Sequence, residues 1–568
     1  IDTSSAGHQP MILPSGSSIT YNGEIYNYKD LKEKIADRRI ELKTRTDTEI
    51  LLHLLENESK ECIKDLDGMF AFGFYDSKTK DVILSRDAFG EKPLYYSISP
   101  GILAFASELH CLELLPWVDT EIDSDALVEY LAFQYVPAPK SIYRGIKKLP
   151  PGSTLKLTRE GNIYIEKHFE FSPLANPVTS RSKEDLIEEL RHLLIKSTER
   201  RLVGDVPLGC FLSGGVDSTA TVSVVTQELN KRIKTFSLGC TNTEESEHIF
   251  ARQMSEKLGS EHNELMVDPD IPFWADKIAK ILDEPLADSS CLPTYMLSEY
   301  SRKQVTVLLS GDGGDELFGG YNRYFATLKE EEAFKAGDPN LKNWKPGDAY
   351  FGPRILIFSE PEITSLVGAL PLEAKNNFEE FKNSINKSEL PLLSRLRAID
   401  ASTYMSGDVL AKVDRMSMQH SLEVRTPFLN RDLAKFAETL PMEALYNNGQ
   451  GKLILKDYVQ RFVPREWLDR KKMGFGIDTA RWGQKECVES LEKLLLSKNS
   501  LVQNWISREG LQKFVDSQKR KEEFHAYKAW SLLILEGWLR SHKENRLSTG
   551  NIFGHLDWAV RRGINVFK

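Results

Sequence analysis

Short apolar runs broken by Gly, Pro and Asp dominate the first 165 residues. They include DGMFAFGFYD (67–76), DVILSRDAFG (81–90), PLYYSIS (93–99) and GILAFASE (101–108). Their Phe, Tyr, Ile and Val content predicts strands. Between them, DLKEKIADRR (30–39) and TDTEILLHLLEN (46–57) carry helical spacing, the second with Thr46 or Asp47 placed to cap it. Strands grouped with a few helices predict an α+β sandwich. Residues 137–152, PAPKSIYRGIKKLPPG, hold four prolines and read as a linker.

The rhythm changes after about residue 183. SKEDLIEELRHLLIKSTERRL puts Leu186, Ile187, Leu190, Leu193 and Leu194 on one helical face. Apolar strand-like runs (LGCFL, IKTFSLG, HNELMV, VTVLL) then alternate with helical stretches such as STATVSVVTQEL and ESEHIFARQMSEKLG. That alternation predicts parallel βαβ units and a doubly wound α/β sheet. From about 390 onward the pattern is mainly helical, and the chain carries no internal repeat. Two domains are expected, over 1–165 and 183–550.

Composition removes several function classes. With 41% hydrophobic and 28% charged residues, the 568-residue chain is ordinary for a globular protein. A net charge of -9 lacks the basic excess that nucleic acid or an anionic membrane surface attracts, so neither is expected as a partner. The six cysteines are scattered without a CxxC pair, which implies reduced thiols and a cytoplasmic location.

The densest candidate chemistry lies in DVPLGCFLSGGVDSTATVSVV (205–225). In an open parallel sheet, ligands bind beyond the carboxyl ends of the strands, where Ser213 to Ser218 fall. Gly214 and Gly215 permit tight backbone geometry. The backbone N–H groups of such a turn, with the hydroxyls of Ser213 and Ser218, suit a phosphate. Asp217 would repel bare phosphate, so its presence implies a divalent cation, most naturally Mg²⁺. Read from these residues alone, the stretch is either an anion cradle or a plain strand-to-helix turn capped by Ser218. It is not a GxxxxGK[ST] loop.

SGGVDS resembles the pyrophosphate loop of the ATP pyrophosphatases. A second loop, LLSGDGGDELFGGY (308–321), narrows the likeness, as do KVDRMSMQHSLEVRTPFLN (412–430) and RKKMGFG (470–476). Together they resemble the synthetase domain of the glutamine-dependent asparagine synthetases, whose nucleotide-binding sheet has the adenine nucleotide alpha hydrolase-like fold. The resemblance implies that Leu212 and Leu238 line an adenosine site, with Ser213, Gly214, Gly215, Ser218, Ser310 and Gly311 also on ATP. It further implies that Asp217 and Asp315 hold Mg²⁺, that Asp312 is the carboxyl group near an aspartyl-adenylate, and that Lys472 stabilises the adenylation step. Read without the family, Lys472 belongs to a solvated basic cluster with Arg470 and Lys471. Asp288, in DEPLADSS (283–290), is a further candidate on the substrate side. Asp312 stands where the family often has Glu, and Asn430 where it often has Asp.

The amino-terminal part is similar to an amidotransferase of the N-terminal-nucleophile class. YNGEIYNY (21–28) and RTDTEILL (45–52) match its glutamine-binding segments, although Asn-Gly-Glu by itself is a turn sequence. The match implies that Asn22, Gly23 and Glu24 contact glutamine and that Asp47 takes its α-ammonium group. Ala88 replaces an arginine frequent in the family. The family's nucleophile is a cysteine that opens the mature chain. The start IDTSSAGHQP falls in mid-pattern, which reads as a fragment of a glutamine-hydrolysing enzyme in preference to a naturally truncated, ammonia-dependent one; free ammonia is expected as the nitrogen source of this chain.

The implied activity is ATP-dependent amidation of aspartate through β-aspartyl-AMP, with aspartate, ATP, and glutamine or ammonia as small-molecule partners. The family also implies a homodimer. Alternatives are amidation of a uronic acid in a surface polysaccharide and a β-lactam-synthetase-like cyclisation; more remote is an inactive nucleotide-binding partner protein.

Overall fold

The computed structural model describes residues 7–36, 40–175, 181–204, 206–240, 247–470 and 483–549, with side chains omitted at 36 and 544–549. The amino-terminal part builds nine strands in chain order: β1 (Met11–Ile12), β2 (Ser18–Ile25), β3 (Gly68–Tyr75), β4 (Val82–Arg86), β5 (Tyr95–Ser99), β6 (Ile102–Ala106), β7 (Lys147–Lys148), β8 (Ser153–Leu157) and β9 (Ile163–Lys167). They form an antiparallel six-stranded sheet, β1-β2-β3-β4-β8-β9, and a three-stranded sheet, β6-β5-β7. Ala71, Leu84, Leu94, Tyr96 and Leu155 share one core cluster drawn from both sheets. The other face of the larger sheet packs Ile19, Phe70, Phe72 and Phe74 against Ile50, Leu51, Leu54 and Leu55 of the helix Asp47–Glu58. Thr46 caps that helix, its Oγ1 accepting the Glu49 N–H at 3.2 Å. The layered α+β expectation holds.

The second part contains a five-stranded sheet of β10 (Leu208–Phe211), β11 (Lys234–Cys240), β12 (Glu261–Val267), β13 (Val307–Leu309) and β14 (Glu423–Arg425). All neighbours are parallel, in the order β12-β11-β10-β13-β14. The chain therefore winds outward from β10 to β12, returns to β10's other side as β13, and winds outward again to β14. The direction reverses between β10 and β13, where the loops after two adjacent parallel strands diverge and leave a crevice. SGGVDS follows β10 and SGDGGDE follows β13, so the topology brings them together although they lie about a hundred residues apart. β14 was not expected. Its three-residue span, EVR, is too short to display a period.

Residues 137–152 are not a linker. Ile142, Tyr143, Ile146 and Leu149 are all buried. The first three share a cluster with Tyr130, Trp530 and Trp538 that ties the amino-terminal part to the helix Ala526–Thr549. The prolines shape a packed crossing between β6 and β8. Among the described residues, no helix is long and apolar enough to cross a membrane.

One buried cation fixes the element that follows β13. Arg397, with no exposed surface, donates to the carbonyls of Glu316 (3.3 Å), Ala437 (2.8 Å) and Leu317. Two of these carbonyls belong to the short helix Gly314–Phe318, which is too brief to satisfy its own carboxyl end. Burial pulls Arg397 down to about 10, and no carboxylate is hydrogen-bonded to it among the described residues. Arg397→Leu should orphan these acceptors and lower stability by about 2–4 kcal/mol. The shift of the urea midpoint measures it, and an unchanged midpoint contradicts the assignment.

Candidate active site

A cavity of about 950 Å³ opens at the carboxyl ends of β10 and β13. Leu212, Ser213, Gly214, Gly215, Asp217, Ser218, Leu238, Asp288, Ser310, Gly311, Asp312 and Asp315 all line it, so both loops and the DEPLADSS segment meet at one place. Lys472 lies outside the described residues.

The β10 loop is a turn organised by its own hydroxyls. Gly214 has φ +71°, a left-handed conformation that favours glycine. Ser218 Oγ is 3.2 Å from Ser213 Oγ, accepts the Ser213 N–H at 3.3 Å, and donates to the Gly215 carbonyl at 3.2 Å. The helix Val216–Ser223 starts on Gly215 without a side-chain cap, so Ser218 does not cap it. Its N-terminal N–H groups therefore face the cavity without a side-chain acceptor from that position.

Two glycines let the β13 loop press against Asp217. A Cβ on Gly314 would lie 2.4 Å from Asp217 Oδ1, and one on Gly311 2.8 Å from Asp217 Cβ. The result is a pair of neighbouring carboxylates, Asp217 and Asp315, with Lys452 between them. Lys452 Nζ lies 2.8 Å from Asp315 Oδ1 and forms a short hydrogen bond to Asp217 Oδ2. Its side chain is 7% exposed, and Gly320 makes room for its stem, where a Cβ would come within 2.0 Å of Lys452 Cε. Burial alone would lower the lysine; the two carboxylates more than offset it and raise the ammonium above its usual range.

A second charged cluster occupies another wall. Lys412 Nζ donates to Asp288 Oδ2 at 3.0 Å and to Ser290 Oγ at 2.9 Å. Burial would raise Asp288, but Lys412 and Ser290 hold it below the usual carboxylate range. Burial raises Asp312, and the partly offsetting Lys412 field does not restore it. Glu316, also in the wall, is pushed up to about 7 by burial and by Asp315, while the Tyr321 hydroxyl donates to it at 2.5 Å. Arg470 lines the cavity as well. It stacks 4.2 Å from the Phe250 ring, so it is not part of a solvated cluster.

Lys452, Lys412, Lys456, Glu316 and Arg470 were not singled out as site residues from sequence. Lys452 and Lys456 sit four apart in GKLILKDY, a basic pair on one helical face that could have been noticed. Lys412 opens KVDRMSM and gives no local sign of its target, 124 residues away.

The glutamine-side candidates gather elsewhere, on β2. Asn22, Gly23 and Glu24 are not a turn: they pair with Ala71, Phe70 and Met69 of β3. Gly23 has no space for a side chain, since a Cβ would meet the Met69 carbonyl at 2.0 Å. Asp47 Oδ2 accepts the Tyr21 hydroxyl at 2.8 Å and the Ile25 N–H at 2.9 Å, which fixes it beside Glu24. Burial first, then Asp47, pushes Glu24 up to about 7. Asn22 Nδ2 donates to Ser107 Oγ at 3.0 Å.

The two sites are joined through β14. Arg425 lies 3.9 Å from Glu24 with its guanidinium, and its carbonyl accepts the Ser310 N–H at 3.0 Å. Asn430 explains its own departure from the family pattern. It caps the helix Arg431–Glu438 through the Leu433 N–H and donates to Asp67 at 3.0 Å, which an aspartate could not do.

Comparison with known proteins gives the family. The asparagine synthase family model matches residues 189–540, and the glutamine amidotransferase domain model matches 1–169. Asparagine synthetase [glutamine-hydrolyzing] 1 of Bacillus subtilis is 32% identical over 553 residues, covering 93% of this chain and 86% of the relative. A putative asparagine synthetase [glutamine-hydrolyzing] of Mycobacterium tuberculosis strain H37Rv is 30% identical over 94% of this chain and 86% of its own length. The human asparagine synthetase [glutamine-hydrolyzing] is 26% identical over 80% of this chain and 71% of its own. The chain belongs to the asparagine synthase family of ATP-dependent, glutamine-hydrolysing ligases.

Proposed function

We propose that the cavity adenylates the β-carboxylate of aspartate and that ammonia then displaces AMP, giving asparagine, AMP and pyrophosphate. The observation that carries this reading is the convergence of Asp217, Asp315 and Lys452 beside the Ser213–Ser218 turn. Adenylation forms a bond between a carboxylate oxygen and the α-phosphorus and breaks the α–β phosphoanhydride. The charge that needs handling is therefore that of the departing pyrophosphate.

The turn's N–H groups and the hydroxyls of Ser213 and Ser218 cradle that pyrophosphate, with Leu212 and Leu238 against the adenosine and Ser310 and Gly311 on the nucleotide. Asp217 and Asp315 both line the cavity and offer hard carboxylate oxygens of the kind Mg²⁺ takes, with the Lys452 ammonium between them. When bound there, Mg²⁺ would neutralise pyrophosphate charge. Lys452 and Lys456 add positive charge along the same wall, and Lys472 takes the role of stabilising the adenylation step. Lys412 and Asp288 place the acceptor amino acid. Asp312 accepts the proton that ammonia loses as it attacks the acyl carbon. Asn22, Gly23, Glu24 and Asp47 form the glutamine side, and ammonia passes from it toward Asp312 near Arg425. The two parts divide close to 1–165 and 183–550, and the working protein is a dimer in the cytoplasm.

Incubation with ATP, aspartate and ammonium chloride should yield AMP and pyrophosphate in step with asparagine. ADP and phosphate as products would overturn the loop assignment. Asp217→Asn should lower pyrophosphate release by roughly 10²-fold or more, because one hard ligand and one charge are lost together. Lys452→Met should cost at least ~10²-fold in the same assay, since it removes a buried cation facing both phosphate and carboxylates. Full turnover in that variant would exclude Lys452 from the pyrophosphate site.

The raised Glu24 generates a pH test. Its folded value, about 7, lies above the ordinary 4.5, so the native state keeps a proton that the unfolded chain releases. Its contribution is complete below pH 4.5, is lost as pH rises toward 7, and is flat above. Glu24→Gln cannot ionise, so the difference in thermal midpoint between variant and parent should grow in the variant's favour from pH 4.5 to 7. A constant difference across that range would place Glu24 in solvent.

A further inference from the structure

We propose that Glu108, His110 and Cys111 form a binding site for a thiophilic divalent metal ion of the zinc type, beside the glutamine-side cluster. One ligand atom from each residue lies within 4.8 Å of the others, on the short helix Leu109–Glu113 and the residue before it. The set is a thiol sulfur, an imidazole nitrogen and a carboxylate oxygen. That combination selects zinc-like ions over Mg²⁺ or Ca²⁺, which take oxygen donors. Three protein ligands leave a fourth tetrahedral position for water.

The independent support is the way His110 is held. Its Nδ1 lies 2.9 Å from Asp283 Oδ1, which leaves Nε2, 3.9 Å from Cys111 Sγ, as the nitrogen available to an ion. Asp283 is buried and fixed in turn by Arg415 at 2.9 Å and by the N–H groups of Leu109 (2.5 Å) and His110 (3.2 Å). A carboxylate orienting the far nitrogen of a histidine is the usual outer support of a metal ligand. Ordinary Zn–S and Zn–N bonds of about 2.3 and 2.0 Å place the two donors about 3.5 Å apart, so a small rotation of the exposed thiol closes the distance. The Glu108 carboxylate, 3.3 Å from His110 Nδ1, is also exposed and can turn toward the ion. Binding forms metal–sulfur, metal–nitrogen and metal–oxygen bonds and releases the thiol proton, with any proton on Nε2, to water.

The position gives the site a consequence. Ser107, adjacent to Glu108, accepts from Asn22 through its hydroxyl and from Arg415 through its carbonyl, each at 3.0 Å. An ion clamping residues 108–111 therefore fixes the segment that holds Asn22. The metal site itself stands whether or not Asn22 contacts glutamine.

Cys111 is exposed, Cys240 is half-buried and the other four cysteines are buried, so the Cys111→Ser variant assigns the signal. Co²⁺ titrated into the untagged full chain should give one thiolate-to-cobalt charge-transfer band per chain, reversed by equimolar Zn²⁺. Zn²⁺ should also protect Cys111 from thiol alkylation. Cys111→Ser should abolish the band, and His110→Gln or Asp283→Asn should each weaken zinc binding by about 10- to 100-fold. The metal-free melting curve of Cys111→Ser should match the parent, since the thiol is on the surface, whereas His110→Gln also loses the contact with Asp283 and should melt lower without metal. The proposal fails if Cys111→Ser binds zinc as the parent does. It also fails if His110→Gln leaves affinity unchanged, which would mean simple capture by a free thiol.

Discussion

The catalytic half depends on one buried ammonium ion held between two carboxylates. Without Lys452, Asp217 and Asp315 would lie side by side in the cavity wall, and two neighbouring like charges are costly. The lysine makes the pair tenable in the protein as it stands. Its position is demanding: the backbone at Lys452 adopts φ +56°, and Gly320 leaves the gap its stem fills. A divalent cation at the same carboxylates would share that field with Lys452. Charge balance, more than shape, thus makes this crevice fit for a polyphosphate.

That balance requires the β10 and β13 loops to stay in register. Parallel pairing of Cys210 with Leu309 sets the strands side by side, and Arg397 pins the helix after β13 from below. The loops are then fixed by residues, Cys210, Leu309 and Arg397, that do not line the cavity. The two parts of the chain are locked in a similar way, by ion pairs across their seam: Lys92 with Asp414 at 2.7 Å, Arg200 with Asp67 at 2.8 Å, and Lys148 with Glu284. Such partly buried pairs add specificity of docking more than raw stability. They favour one relative placement of the cluster on β2 and the cavity.

Much of this was legible in the sequence because its signals are local. Alternating strand and helix lengths gave the parallel sheet, and the two Ser-Gly loops gave the crevice once they were read as a pair. The failures have a common physical origin. The 137–152 segment was misread because proline content reports backbone restriction, not exposure, and Ile142, Tyr143 and Ile146 bury themselves against residues nearly 400 positions later. Asn22-Gly23-Glu24 has turn composition but is a strand, because Gly23 is chosen for the close approach of Met69 and not for a turn. β14 is three residues long and is a strand only because β13 is beside it.

The lysines were hidden for a further reason. A lysine's intrinsic preference is for solvent, so sequence texture assigns it to a surface unless a partner is known. Lys412 and Lys452 have partners 124 and 235 residues away, and each partner is itself an aspartate that local reading already marked. Charge balance within the crevice constrains the chain more than any single motif does. Asp217, Asp288, Asp312 and Asp315 placed around one crevice demand buried cations, and the chain must supply them from some other element. Looking for lysines on otherwise apolar helical stretches, as in GKLILKDY, follows from that demand.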